Sequence, residues 1–197
     1  MKTIQSFFFV ALATILMAAD CSNKDSEFYN DVFITVPELA SVAPDESLPI
    51  IPVVYVNASF SRYLTVAGHA HSLDIYKSSG GATLFNFSYE LEKETAPNAW
   101  GTVELTDSQV QVVSGETYTG FFVEANSVYN ETNETYEYRA GLTNLPAGNY
   151  RLSFGYNSAS VTDVEFHSLS SGNNLFVNLR SPYSALDNNG YYHFTIN

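Results

Sequence analysis

The clearest strand signal in the chain runs from Leu84 to Glu92. Phe85, Phe87, Tyr89 and Leu91 fall on one side, and Asn86, Ser88, Glu90 and Glu92 on the other. A period of two is that of a β-strand with one face in a core and one in water. Strands of a parallel sheet are apolar on both faces, so this pattern predicts an antiparallel sheet. Shorter segments repeat the signal: Val32–Val36, Val53–Phe60, Leu73–Tyr76, Thr102–Leu105, Val110–Val113, Tyr118–Glu124, Thr135–Leu142, Tyr150–Gly155, Val161–Phe166, Leu175–Leu179 and Tyr191–Ile196. Turn-forming residues separate them, among them Ser79-Gly80-Gly81, Ser114-Gly115, Gly172-Asn173-Asn174 and Asn188-Asn189-Gly190. Residues Glu38 to Pro52, with three prolines and several acids, read as a loop. No segment beyond residue 21 keeps a helical period over three turns. The expected fold is therefore all-β, an antiparallel β-sandwich.

Composition narrows the function. Apolar residues make up 45% of the chain, enough for a packed core. The formal net charge is -13, so nucleic acid and anionic membrane surfaces would be repelled.

The amino-terminal segment reads differently from the rest. Lys2 precedes an apolar run from Phe7 to Ala19, broken only by Thr14. A transmembrane helix needs roughly 20 apolar residues, so the run fits the core of an export signal instead. It ends at Cys21, the single cysteine of the chain. An exported protein with one thiol forms no internal disulfide, and that thiol calls for another role. Ala18, Ala19 and Cys21 resemble the processing site of bacterial lipoprotein precursors, in which the diacylated Cys becomes the new amino terminus. Asp20 departs from that pattern, where Gly, Ala or Ser is usual. Ordinary cleavage after Ala19 is the alternative. The resemblance implies a lipid (palmitate-type) anchor on Cys21. Ser22 carries no inner-membrane retention signal, and Lys24-Asp25-Ser26-Glu27 resembles the stretch that sends some lipoproteins to the outer face of the outer membrane. A periplasm-facing position is the alternative. The expected organisation is a signal peptide over 1–20, a lipidated Cys and tether over 21–30, and a β-sandwich over 31–197, with two β-subdomains split near 98 as the variant.

Leu145-Pro146-Ala147-Gly148-Asn149-Tyr150-Arg151-Leu152 resembles the turn and strand of immunoglobulin-like and prealbumin-like modules of bacterial surface proteins. Pro146 sets φ for the turn and Gly148 can take a positive φ. Tyr150, Leu152 and Phe154 then share one face.

Motifs for chemistry are sparse. There is no nucleophile elbow, no His-Glu-x-x-His helix, no EF-hand loop and no phosphate-binding loop. No catalytic residue, metal set or cofactor is expected. His69 and His71 lie two apart, but His167 and His193 are remote in sequence and zinc needs three or four ligands. Glu90, Glu92, Glu94, Glu104 and Glu124 could in principle supply a carboxylate pair. Aromatics offer more. Trp100, the single tryptophan, lies in a turn-like stretch and could stack on a sugar or anchor a partner. Tyr129, Tyr136 and Tyr138 flank an acidic Asn-Glu-Thr stretch, where they could form a recognition surface or act as cross-strand pairs of a hairpin. The sequence is thus read as a non-enzymatic cell-envelope lipoprotein that binds a glycan or protein partner. A polysaccharide hydrolase or an enzyme accessory module is the alternative.

Overall fold

The computed structural model describes residues 30–44, 54–169 and 175–197. The export signal, Cys21, the stretch Lys24–Glu27, Pro49, Pro52 and the turn at Gly172-Asn173-Asn174 lie outside the described residues. Strands account for 56% of the described residues and helices for 6%, so the chain is all-β. Among the described residues no helix is long and apolar enough to cross a membrane.

In chain order the strands are β1 (Asn30–Thr35), β2 (Ser41–Pro44), β3 (Val54–Asn57), β4 (Phe60–Ser61), β5 (Tyr63–Leu64) and β6 (Leu73–Asp74). One helical turn, α1 (Ile75–Ser78), follows, then β7 (Leu84–Ala96), β8 (Ala99–Thr102), β9 (Val110–Ser114), β10 (Glu116–Tyr118) and β11 (Val123–Asn130). The chain continues with β12 (Thr135–Glu137), β13 (Arg139–Leu142), β14 (Gly148–Ser153), β15 (Asp163–Leu169), β16 (Leu175–Pro182) and β17 (Tyr191–Ile196).

The strictly alternating segment is the axis of the fold. It continues past Glu92 to form β7, which pairs with four strands. Its first half lies between β15 and β11, and its second half between β14 and β8. One sheet thus runs β1-β16-β15-β7-β11-β12-β4, with β8, β14 and β17 attached through the second half of β7 and β10 attached to β11. A second sheet runs β2-β3-β13-β9. Among the described residues pairing is antiparallel, except that β1 runs parallel to β16.

The two sheets are joined by one bent ribbon. Ala58 and Tyr138 exchange both backbone hydrogen bonds at 3.0 Å, so β3 continues into β4 and β12 into β13. A ribbon that changes sheet in this way forms a corner of a sandwich. Between the sheets, Phe85, Phe87 and Tyr89 are fully buried. They meet the ribbon's aromatics edge-on, with ring centroids 4.8 Å apart for Phe85–Tyr136 and 5.0 Å for Phe87–Tyr138. Edge-on pairs set the electropositive rim of one ring against the face of the other. The buried side chains form one cluster, from Ile34 to Ile196.

Several local expectations need correction. The loop expected over Glu38–Pro52 contains β2, because Val42 is buried and its amide donates to the Tyr183 hydroxyl at 2.9 Å. The segment Leu73–Tyr76 is strand only to Asp74, whose carboxylate caps α1 by accepting from the Lys77 amide at 3.1 Å. The strand expected at Thr102–Leu105 lies earlier, at β8. Asn98 takes a φ of 61°, which an Asn tolerates, and so lets the chain reverse directly after β7. The outward face of β7 is also drier than alternation implies. Ser88 is buried, and Asn86 is tied to Asn126 across the strand gap at 2.9 Å.

Candidate functional site

Tyr136 and Tyr138 do not form a recognition surface. Both are fully buried. Their i, i+2 spacing gives them one face of the bent ribbon, and that face is the core. The Tyr136 hydroxyl donates to the Ala82 carbonyl at 2.7 Å, and the Tyr138 hydroxyl lies 3.0 Å from that of Tyr89 and 3.1 Å from Thr117 Oγ1. Tyr129 is half-buried. It stands opposite Tyr136 in register, with ring centroids 5.0 Å apart, and stacks on Tyr76 at 4.8 Å. Tyr129 and Tyr136 thus form a cross-strand pair of the β11–β12 hairpin, whereas Tyr138 pairs with Ala58 at the bend and fills the core. His69 and His71 are exposed. Among the described residues no three His, Cys, Asp or Glu side chains gather to hold a metal ion.

Trp100 has different surroundings. It lies on β8, opposite Glu94 of β7, on the outward face of the β8-β7-β14-β17 half of the first sheet. Register alone places Glu92, Arg151 and His193 in one row across β7, β14 and β17. Arg151 Nε donates to Glu92 Oε2 at 2.6 Å. Its guanidinium lies 4.6 Å from the Trp100 ring centre and 3.7 Å from that of Tyr191. A guanidinium between two rings gains cation–π attraction on both sides and holds both rings in place. The His193 ring meets Trp100 edge-on at 5.7 Å, and its Nε2 is 3.0 Å from Asp187 Oδ2.

Beside the indole lies a shallow cleft of about 280 Å³, lined by Glu94, Trp100, Asn149, His193 and Thr195, with the edges of Tyr150 and Phe194. Its polar groups are ordered by one another. Glu94 accepts from the Asn149 side chain at 2.8 Å and from the Asn98 amide at 3.1 Å. Asn149 Oδ1 accepts in turn from Thr195 at 3.0 Å. The Asn149 and Asn98 hydrogen bonds hold the Glu94 carboxyl below its ordinary value. The Tyr191 amide does the same for Asp187, aided by His193 and the Asn189 amide. Both carboxylates are ionised at neutral pH. The cleft therefore offers an aromatic surface ringed by fixed acceptors and amide donors.

The two largest of the clefts described carry less recognition chemistry. One of about 700 Å³ at the sheet junction is polar, and its single aromatic lining residue among the described residues, Phe60, is buried. Another of about 680 Å³ along β1 is lined mainly by aliphatic side chains.

The sequence marked Trp100 but missed its partners. Arg151 and Asn149 were legible as the outward side of β14, and His193 and Thr195 as one side of β17. Their union depends on the pairing of distant segments, which no single strand encodes. No family model, curated protein or solved structure matches the chain.

Proposed function

We propose that this protein is a cell-envelope lipoprotein, held in the outer membrane by acyl chains on Cys21, that binds a glycan on the Trp100 face without transforming it. One observation carries the binding role: a lone indole, fixed by Arg151 and His193, lines a cleft whose polar groups, Glu94, Asn149 and Thr195, are pre-ordered by hydrogen bonds to one another. A sugar ring presents an apolar face of C–H groups and a rim of hydroxyls, and this cleft offers a surface for each. A ring on a rigid strand has few rotamers to freeze, so more of the contact energy remains as affinity.

The cleft's acids favour binding over hydrolysis. A glycosidase needs a carboxylic acid with a raised pKa and a second carboxylate across the bond. Among the described residues Glu94 is the single carboxylate lining this cleft, both its oxygens already accept hydrogen bonds, and its pKa is shifted down. Glu92 is engaged by Arg151.

The test is retention of the full chain on arrayed envelope and plant polysaccharides, with assay of the same polymers for released reducing ends. Binding that falls at least tenfold in Trp100→Ala, with no product, is expected. Turnover abolished by a single Glu or Asp substitution would overturn this reading.

A further inference from the structure

A second cleft lies on the outward face of the same sheet. Phe33, Asn178, His167 and Asn86 are successive register partners across β1, β16, β15 and β7. Around them is a cleft of about 480 Å³ lined by Asp31, Phe33, Glu165, His167, Asn178 and Arg180, among others. Its plan repeats that of the Trp100 face. Arg180 Nε donates to Glu165 Oε1 at 2.9 Å, while its guanidinium lies 4.4 Å from the Phe33 ring centre. His167 Nδ1 is 2.7 Å from Asn178 Oδ1, so the imidazole is fixed as His193 is by Asp187. Glu165 is buried, yet Phe33 remains 53% exposed. Each site thus has a ring lining the cleft, exposed at Phe33 and half-buried at Trp100, an arginine held against it by a carboxylate, and a histidine tied to a polar neighbour.

Resting on the glycan reading above, we infer that this cleft is a second saccharide subsite, and that the natural ligand is a neutral polysaccharide chain long enough to reach both. Asn86 and Glu92 mark the two rows on β7. Six residue steps at about 3.3 Å each separate them by roughly 20 Å, more than a disaccharide spans. Neutrality follows from the charges. Arg151 and Arg180 are both already paired with carboxylates, so neither is free to hold a uronate or sulfate. Glu94 and Asp31 add negative charge to the clefts, and the chain as a whole carries -13. A polyanion would be repelled, whereas hydroxyl-rich neutral sugars can donate to these carboxylates. A ligand joining two subsites binds more tightly than either alone, because the second contact is intramolecular.

The experiment is calorimetric titration of the full chain with neutral β-glucan, mannan and xylan oligomers graded from disaccharide to octasaccharide. Affinity for the recognised series should rise at least tenfold with length. Phe33→Ala removes an exposed ring, so a folded variant is expected, to be checked by its melting curve. It should abolish the rise and leave disaccharide affinity unchanged, while Trp100→Ala weakens every length. Affinity that is flat with length yet dependent on Trp100, or a rise that survives Phe33→Ala, overturns this inference alone. Failure of every oligomer to bind overturns it together with the glycan reading.

Discussion

Tyr150 illustrates how much one side chain can state in advance. Pro146 and Gly148 marked a turn, and alternation with Leu152 and Phe154 marked a buried face. In the structure Tyr150 is buried, stacks on Phe194 at 5.5 Å, and donates from its hydroxyl to the Pro146 carbonyl at 2.5 Å. Tyr150→Phe should cost about 1 kcal/mol, the net worth of one hydrogen bond, and Tyr150→Ala about 3–5 kcal/mol, both read by urea denaturation. Tyr136 and Tyr138 mark the limit of such reading. Alternation says which residues share a face, but not which face the fold encloses. Their burial has a consequence at high pH. Desolvation raises the hydroxyls of Tyr89, Tyr136, Tyr138 and Tyr183 above the ordinary value of 10.0. The unfolded chain releases these protons near pH 10 and the folded chain does not. Their contribution to stability is whole below pH 10 and declines as pH rises above it. Denaturation midpoints should be level with respect to these groups from pH 8 to 10 and then fall. The tyrosinate absorbance of these residues should appear with unfolding, and its appearance in the native state at pH 10 would contradict their burial.

At the scale of elements, the sequence located most strands because each carries its own alternation, as β7, β14 and β17 do. It misplaced β8 because the signal there is set by the partner: Trp100 belongs to a strand through pairing with Glu94, not through local pattern. Turn chemistry is equally decisive at Gly115, between β9 and β10. Its φ is 82°, and an added Cβ would come within 2.6 Å of the Asn126 carbonyl and 2.8 Å of the Tyr138 ring. Gly115→Ala should lower stability by about 1–3 kcal/mol, from backbone strain and from pressure on a core tyrosine. A thermal melt unchanged from the parent would show that the corner yields freely. Among the described residues β17 pairs with β14 alone. Removing residues 191–197 takes away Phe194 and buried Ile196 and bares the edge of β14. A loss of at least about 3 kcal/mol and concentration-dependent aggregation are expected. An undiminished, monomeric melt would mean that β17 is peripheral.

For the whole molecule, the proposal joins an anchor to a binding face. Intact mass of membrane-extracted protein should show loss of residues 1–20 and added acyl chains on Cys21. Cys21→Ala should release the protein to the soluble fraction, since two or more chains are needed for stable anchoring. A mature protein beginning at Asp20 with a free thiol would remove the anchor from the account. The binding face has a more direct reporter. Trp100 is the single tryptophan of the chain, so its fluorescence comes from the candidate site and from nowhere else. The decisive measurement is a titration of the full chain with the neutral polysaccharide it retains, followed by tryptophan emission and by calorimetry in parallel. A saturable emission change with the calorimetric midpoint, little altered by added salt, is expected. Calorimetric binding that leaves the emission untouched would place the ligand elsewhere on the molecule and contradict the Trp100 site.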